Sequence, residues 1–150
     1  MNKFTSQTTP ASTIATTRDN NRILIIDDDP AILFAYAKLF EREGLCVDSC
    51  DCLLEAIKHL KSHSYFAVVT DMRLAGTENT DGLDVIRALQ AERSDSHFIL
   101  ATGSDNNDIE LAARQMGASH YFQKPVEPAL ILTTLNGLIA VAHVVKPLFA

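Results

Sequence analysis

Two rhythms of apolar residues alternate along the chain. Short, nearly unbroken apolar runs occur at 22–26, 66–70 and 97–101, with weaker ones at 45–49 and 119–122. Runs of that length, rich in β-branched and aromatic side chains, predict strands, the strongest of them buried on both faces. Between them the apolar residues recur at helical spacing. Ile32, Tyr36, Leu39 and Phe40 mark a first helix, over 31–43, and Leu53, Ala56, Ile57 and Leu60 a second. Leu83, Ile86 and Leu89 mark a third, and Ile109, Ala112, Ala113 and Met116 a fourth. Pro128 opens a fifth through Leu130, Leu135, Leu138, Ile139 and Ala142, and it is apolar on more than one face. Gly44 and Gly117 stop the first and fourth helices, as glycine does where a chain leaves a helix in the left-handed conformation. Five β-α repeats imply one parallel sheet with helices on both faces and right-handed crossovers.

The polar residues at the strand ends add chemistry to this frame. The stretch 66–74 (Phe-Ala-Val-Val-Thr-Asp-Met-Arg-Leu) breaks from apolar to polar at Asp71. In open α/β sheets, reactive groups gather at the carboxyl ends of strands, although an isolated aspartate there also serves as a turn or cap. The first strand ends on Asp27-Asp28-Asp29-Pro30. Adjacent carboxylates repel one another and resist desolvation. Asp29 suits an N-cap with Pro30 in the first turn, which leaves Asp27 and Asp28 beside the strand terminus. Oxygen-only ligands of this kind are what Mg²⁺ takes. The fourth strand runs into Thr102-Gly103-Ser104, which could be a simple turn, and the fifth into Gln123-Lys124-Pro125. Asp27, Asp28, Asp71, Thr102 and Lys124 therefore all fall at one edge of the predicted sheet.

Composition narrows the function classes. A chain of 150 residues favours one domain with a self-sufficient core. The net charge of −6 argues against direct nucleic-acid binding and for protein or metal partners. No apolar run reaches the length of a membrane span and the N-terminus has no signal-peptide core, so no membrane association and a cytoplasmic location are expected. Cys46, Cys50 and Cys52 are odd in number and lack a second pair for zinc; free, mostly buried thiols are expected. His59 and His63 lie four apart, a spacing able to hold a metal, but no acid or third ligand is evident beside them, so a solvated helix face is expected. Residues 1–20 are rich in Ser and Thr and lack apolar periodicity, which reads as a flexible tail.

Taken together, the sequence resembles the receiver domains of two-component response regulators. The resemblance rests on the acidic pair Asp27-Asp28, the lone Asp71, Thr102 with a small neighbour, and Gly117-Ala118-x-x-Tyr121-x-x-Lys124-Pro125. It covers 21–143, leaving 1–20 and 144–150 as tails. It implies a flavodoxin-like (βα)₅ doubly wound, five-stranded parallel sheet. By that resemblance Asp71 is the phosphoryl acceptor, and the donor is a phosphohistidine on a sensor histidine kinase or a phosphotransfer protein. Asp27, Asp28, Asp71 and the backbone carbonyl of Arg73 hold Mg²⁺. Lys124 and Thr102 contact the phosphoryl oxygens, and Thr102 and Tyr121 switch the face formed by the fourth helix, fifth strand and fifth helix. The chain is then a signalling protein rather than an enzyme, taking part only in its own phosphorylation and autodephosphorylation.

Departures from the family pattern lie at Ala75, where proline is usual, and in a longer loop over 76–81; Arg73 and Ser104 stand where family members differ. No essential ligand is lost. With no room for an output domain after the fifth helix, action on a downstream target protein or in a phosphorelay is expected. The apolar last helix offers a homodimer or target surface, unless burial on the sheet uses it up. The alternatives are a phosphate-independent interaction module of the same fold, or the receiver part of a regulator whose output domain is missing. A haloacid-dehalogenase-like phosphatase is disfavoured, because Arg73 stands where that family has its second aspartate.

Overall fold

The computed structural model describes residues 21–72, 82–93, 95–103 and 107–145. Five strands and five helices alternate: β1 (Arg22–Ile26), α1 (Pro30–Arg42), β2 (Cys46–Cys50), α2 (Leu53–Ser62), β3 (Ala67–Thr70), α3 (Gly82–Glu92), β4 (His97–Thr102), α4 (Asn107–Gln115), β5 (His120–Gln123) and α5 (Pro128–Val145). All strand pairs are parallel, in the order β2-β1-β3-β4-β5. From β1 the chain moves outward to β2, then returns past β1 to β3. That reversal opens a crevice above the carboxyl ends of β1 and β3, the place where ligands bind in such sheets.

The central strands are apolar on both sides because helices cover both faces. Ile23, Ile25, Val69 and Ile99 meet Phe40 of α1 and Ile131 and Leu135 of α5. Leu24, Ile26, Val68 and Phe98 meet Leu60 of α2 and Leu89 of α3. A third cluster joins Met72, Ile86, Leu100 and Ala113, with Tyr121 packed against it. β3 is buried at all four residues, as its unbroken apolar run requires.

Local sequence sets the helix ends. Asp29 caps α1 through its carboxylate, which accepts from the Ala31 N–H at 2.9 Å, with Pro30 in the first turn. Gly44, at φ +87°, donates to Glu41 O, and Leu45 donates to Phe40 O. Gly117, at φ +95°, closes α4 by the same pair of bonds, its own to Arg114 O and Ala118 to Ala113 O. Both are glycine-terminated helix ends in which the last carbonyls are satisfied by the chain that follows. Leu45 is thus engaged in closing α1, so β2 begins at Cys46, one residue later than its apolar run predicts.

Other expectations need correction. The cysteines are free, but only Cys50 is buried; Cys52 is half-buried and Cys46 exposed. β2 is the edge strand, so its outer residues have no neighbour to cover them. Burial pushes the Cys50 thiol up to about 12. The last helix continues to Val145, past Ala142 and past the expected boundary at 143. Residues 1–20, the 75–81 loop, Arg73, Ser104 and residues 146–150 lie outside the described residues.

Candidate functional site

The crevice gathers residues that are far apart in sequence. β1 delivers Asp27, whose backbone N–H is held by Cys50 O at 3.2 Å. β3 delivers Asp71, whose N–H is held by Ile26 O at 3.1 Å. Both aspartates thus continue the sheet ladder for one residue after their strands end. Their side chains are buried, at 4% and 8% exposure, while Asp28 is exposed. Carboxylate oxygens of Asp27, Asp28 and Asp71 lie within 4.8 Å of one another.

Lys124 closes the cluster from the end of β5. Its Nζ donates to Asp27 Oδ2 at 2.6 Å and to Asp71 Oδ2 at 2.8 Å. Its backbone N–H donates to Thr102 O at 2.8 Å, which fixes the β5 end against the β4 end. Thr102 is fully buried there. Asp27 also accepts the Asp29 N–H at 2.9 Å. Burial holds the Asp27 carboxyl above its ordinary value, against the opposing pull of Lys124 and the Asp29 N–H. Burial alone would lower Lys124, but its bonds to Asp27 and Asp71 outweigh this and hold it above its ordinary value. It is therefore a firmly charged ammonium between two carboxylates.

Asp27, Asp28, Asp71, Lys124 and Thr102 thus meet at one edge, as their strand-end positions imply. Tyr121 is half-buried against Met72, Ile86, Leu100 and Ala113. Met72 follows Asp71 directly, so one packed cluster joins the acidic edge to the α3–α4–β5 side. Two participants escaped the sequence reading. Thr70 donates its hydroxyl to Asp71 O at 2.9 Å and so orients the peptide beyond the acid. An apolar groove of about 520 Å³ opens beside Lys124, lined by Ile32, Ala35, Tyr36, Pro125 and Val126. The spacing of Ile32, Ala35 and Tyr36 on one face of α1 was its only sequence signal.

A sheet in this order places three acids and a lysine at its switch point, the place where α/β proteins bind ligands. Comparison with known proteins agrees. The sequence profile described as the response regulator receiver domain matches residues 23–136, and the chain belongs to that family. The acid tolerance regulatory protein ActR of Rhizobium meliloti is 34% identical over 113 residues, 75% of this chain and 57% of its own length. The photosynthetic apparatus regulatory protein RegA of Cereibacter sphaeroides is 32% identical over 107 residues, 70% of this chain and 55% of its own length. The chain therefore spans a little over half the length of these curated relatives.

A CheY-like receiver domain protein from Methanospirillum hungatei superposes with a TM-score of 0.73 at 25% identity, covering 80% of this chain and 94% of the other. A response regulator from Burkholderia pseudomallei, solved with a phosphorylated aspartic acid, a calcium ion and citrate, superposes with a TM-score of 0.69 at 25% identity, covering 85% and 74%. Among the described residues no helix is long and apolar enough to cross a membrane.

Proposed function

We propose that the chain is a phosphorylation-dependent switch and that Asp71 is its acceptor. The observation that carries this reading is the Lys124 ammonium held between Asp27 and Asp71, at 2.6 and 2.8 Å, in a crevice with a third acid alongside. An Asp71 oxygen attacks the phosphorus of a phosphohistidine on a kinase or phosphotransfer protein. The N–P bond breaks, its electron pair returns to the imidazole, and an acyl phosphate forms. Lys124 leaves Asp71 for a phosphoryl oxygen and stays charged throughout. The Thr102 hydroxyl takes another of these oxygens.

The donor set suits a hard divalent cation: three carboxylates within 4.8 Å, one of them open to water. Asp27, Asp28 and Asp71 would hold Mg²⁺, with the carbonyl of Arg73. When bound, the ion offsets the negative charge that gathers on the transferred group. The calcium ion and phosphorylated aspartic acid in the Burkholderia pseudomallei relative support this reading. Autodephosphorylation by water at the same edge returns the switch to its resting state.

A phosphoryl group adds about −1.5 to −2 charges at Asp71. Thr102 follows it, and Tyr121 turns inward as the Met72–Ile86–Leu100–Ala113 cluster repacks. The α4–β5–α5 face then favours a different partner, a shift between two populations of one fold. We place the domain from 21 to the end of α5 at 145, and the switch in the cytoplasm. It acts on a target protein or in a relay, with α5 open to a second copy.

Intact mass after incubation with acetyl phosphate and Mg²⁺ tests the core of this. One phosphate is expected, lost in Asp71→Ala and without Mg²⁺. No adduct, even with fast quenching and a histidine-kinase donor, would sink the switch in favour of a phosphate-independent module.

A further inference from the structure

Beneath the acidic edge, one row of residues spans the whole sheet. The strand register sets Cys50, Ile26, Thr70, Leu100 and Tyr121 side by side, from β2 across β1, β3 and β4 to β5. Cys50 and Ile26 belong to one buried apolar cluster, and Leu100, with Tyr121 packed against it, to the next. Thr70 stands two residues after Val68 of the first cluster, so its side chain shares that face. It is 1% exposed. Valine would fill nearly the same space there without a polar atom.

A buried hydroxyl costs free energy unless it is bonded. Thr70 donates its proton to Asp71 O at 2.9 Å. On the other side of the same residue, the Asp71 N–H donates to Ile26 O at 3.1 Å. The peptide before the Asp71 Cα is thus held by β1, and the peptide after it by Thr70. A residue has only two soft backbone dihedrals. With both flanking peptides held, φ and ψ of Asp71 are set, and with them the direction in which its carboxylate leaves the backbone. β3 ends at Thr70, so the peptide after Asp71 lies beyond the strand. Met72, at the far end of that peptide, is buried in one cluster with Leu100.

We propose that Thr70 is a positioning residue for phosphoryl transfer, its hydroxyl holding the Asp71–Met72 peptide so that the Asp71 carboxylate faces the incoming phosphorus. The role rests on the reading of Asp71 as the acceptor. Thr70 acts through the backbone of Asp71 and not by contact with the reacting atoms. With acetyl phosphate as donor, an Asp71 oxygen bonds to phosphorus as the bond from phosphorus to the acetyl oxygen breaks. Acetate leaves with that electron pair, and Thr70 keeps its proton throughout. Small misplacements of an attacking atom are costly in rate, so the hydroxyl should be felt in the transfer step.

Two substitutions separate positioning from packing. Thr70→Val keeps the shape and removes the hydroxyl, and valine suits a buried strand. Thr70→Ser keeps the hydroxyl and removes the methyl. Initial rates of phosphate uptake from acetyl phosphate, at saturating Mg²⁺ and read by intact mass, test the role in the full chain. Urea midpoints establish that each variant is folded under the assay. Thr70→Val is expected to be slower than the parent by about tenfold, and Thr70→Ser to stay within about twofold of it. Thr70→Ala against Thr70→Ser repeats the comparison without the methyl, so the hydroxyl is tested even where valine disturbs the fold. A Thr70→Val rate equal to the parent's, or a Thr70→Ser rate as low as that of Thr70→Ala, would overturn the role while leaving Asp71 as the acceptor. A parent that takes up no phosphate would sink both.

Discussion

At the residue scale, environment rather than identity sets behaviour. The five histidines of the chain include one that burial has changed clearly. His97 starts β4 with its ring on Phe66, 5.0 Å between centroids, and its Nδ1 3.0 Å from Ser119 Oγ. Burial, aided by the nearby His120, lowers its pKa from the ordinary 6.5. Below pH 6.5 the unfolded chain therefore binds the proton more readily than the folded one. Stability contributed by His97 is complete above pH 6.5 and is lost as pH falls through that value toward the lowered one. Urea midpoints between pH 7.5 and 5 should decline in the parent and decline less in His97→Gln. Asp48 is also lowered, but for a different reason: held below its ordinary 3.8 by Tyr65 and Arg22 in spite of burial, it loses its contribution only in stronger acid. The two effects occupy separate windows.

At the scale of elements, the same substitution should act in opposite directions at two glycines. Gly44 terminates α1 at φ +87° with no atom close enough to obstruct a Cβ, so strain there comes from the backbone alone. Gly44→Ala should destabilise by about 1–2 kcal/mol. Gly137 lies within α5, exposed, again with open space around a Cβ. Gly137→Ala should stabilise by about 0.5–1 kcal/mol, by reducing the freedom of the unfolded chain and raising helix propensity. Urea unfolding of both variants checks the sign, which matters more than the size.

At the scale of the molecule, one side chain ties three strands. Lys124 Nζ reaches Asp27 across 97 positions of sequence and Asp71 across 53. Lys124→Ala would leave two buried carboxylates facing each other. Removing one partner of a fully buried pair costs about 3–5 kcal/mol. Lys124 is 19% exposed at the crevice mouth, where water can enter, so about 1–3 kcal/mol is expected. Urea unfolding at pH 7 measures it, and the deficit should shrink in acid as Asp27, held above its ordinary value by burial, takes up a proton. On the proposed Mg²⁺ site, removing the ion should make the deficit larger, because the cation and the ammonium would relieve the same repulsion.

The sequence by itself determined the elements and which residues end each strand. Periodicity and capping are local, so Asp29-Pro30 and the glycines at 44 and 117 could be read within a few residues. It also placed Asp27, Asp28, Asp71, Thr102 and Lys124 at one edge, because every strand in a β-α repeat points the same way. Only the tertiary structure decided the lateral order of the strands, which is set by packing between distant segments. That order makes β1 and β3 neighbours and brings Lys124 onto both acids. The same holds for the His59–Tyr65–Asp48 chain of bonds. Its members come from α2, the segment before β3 and the edge strand, and nothing in their spacing shows that they meet.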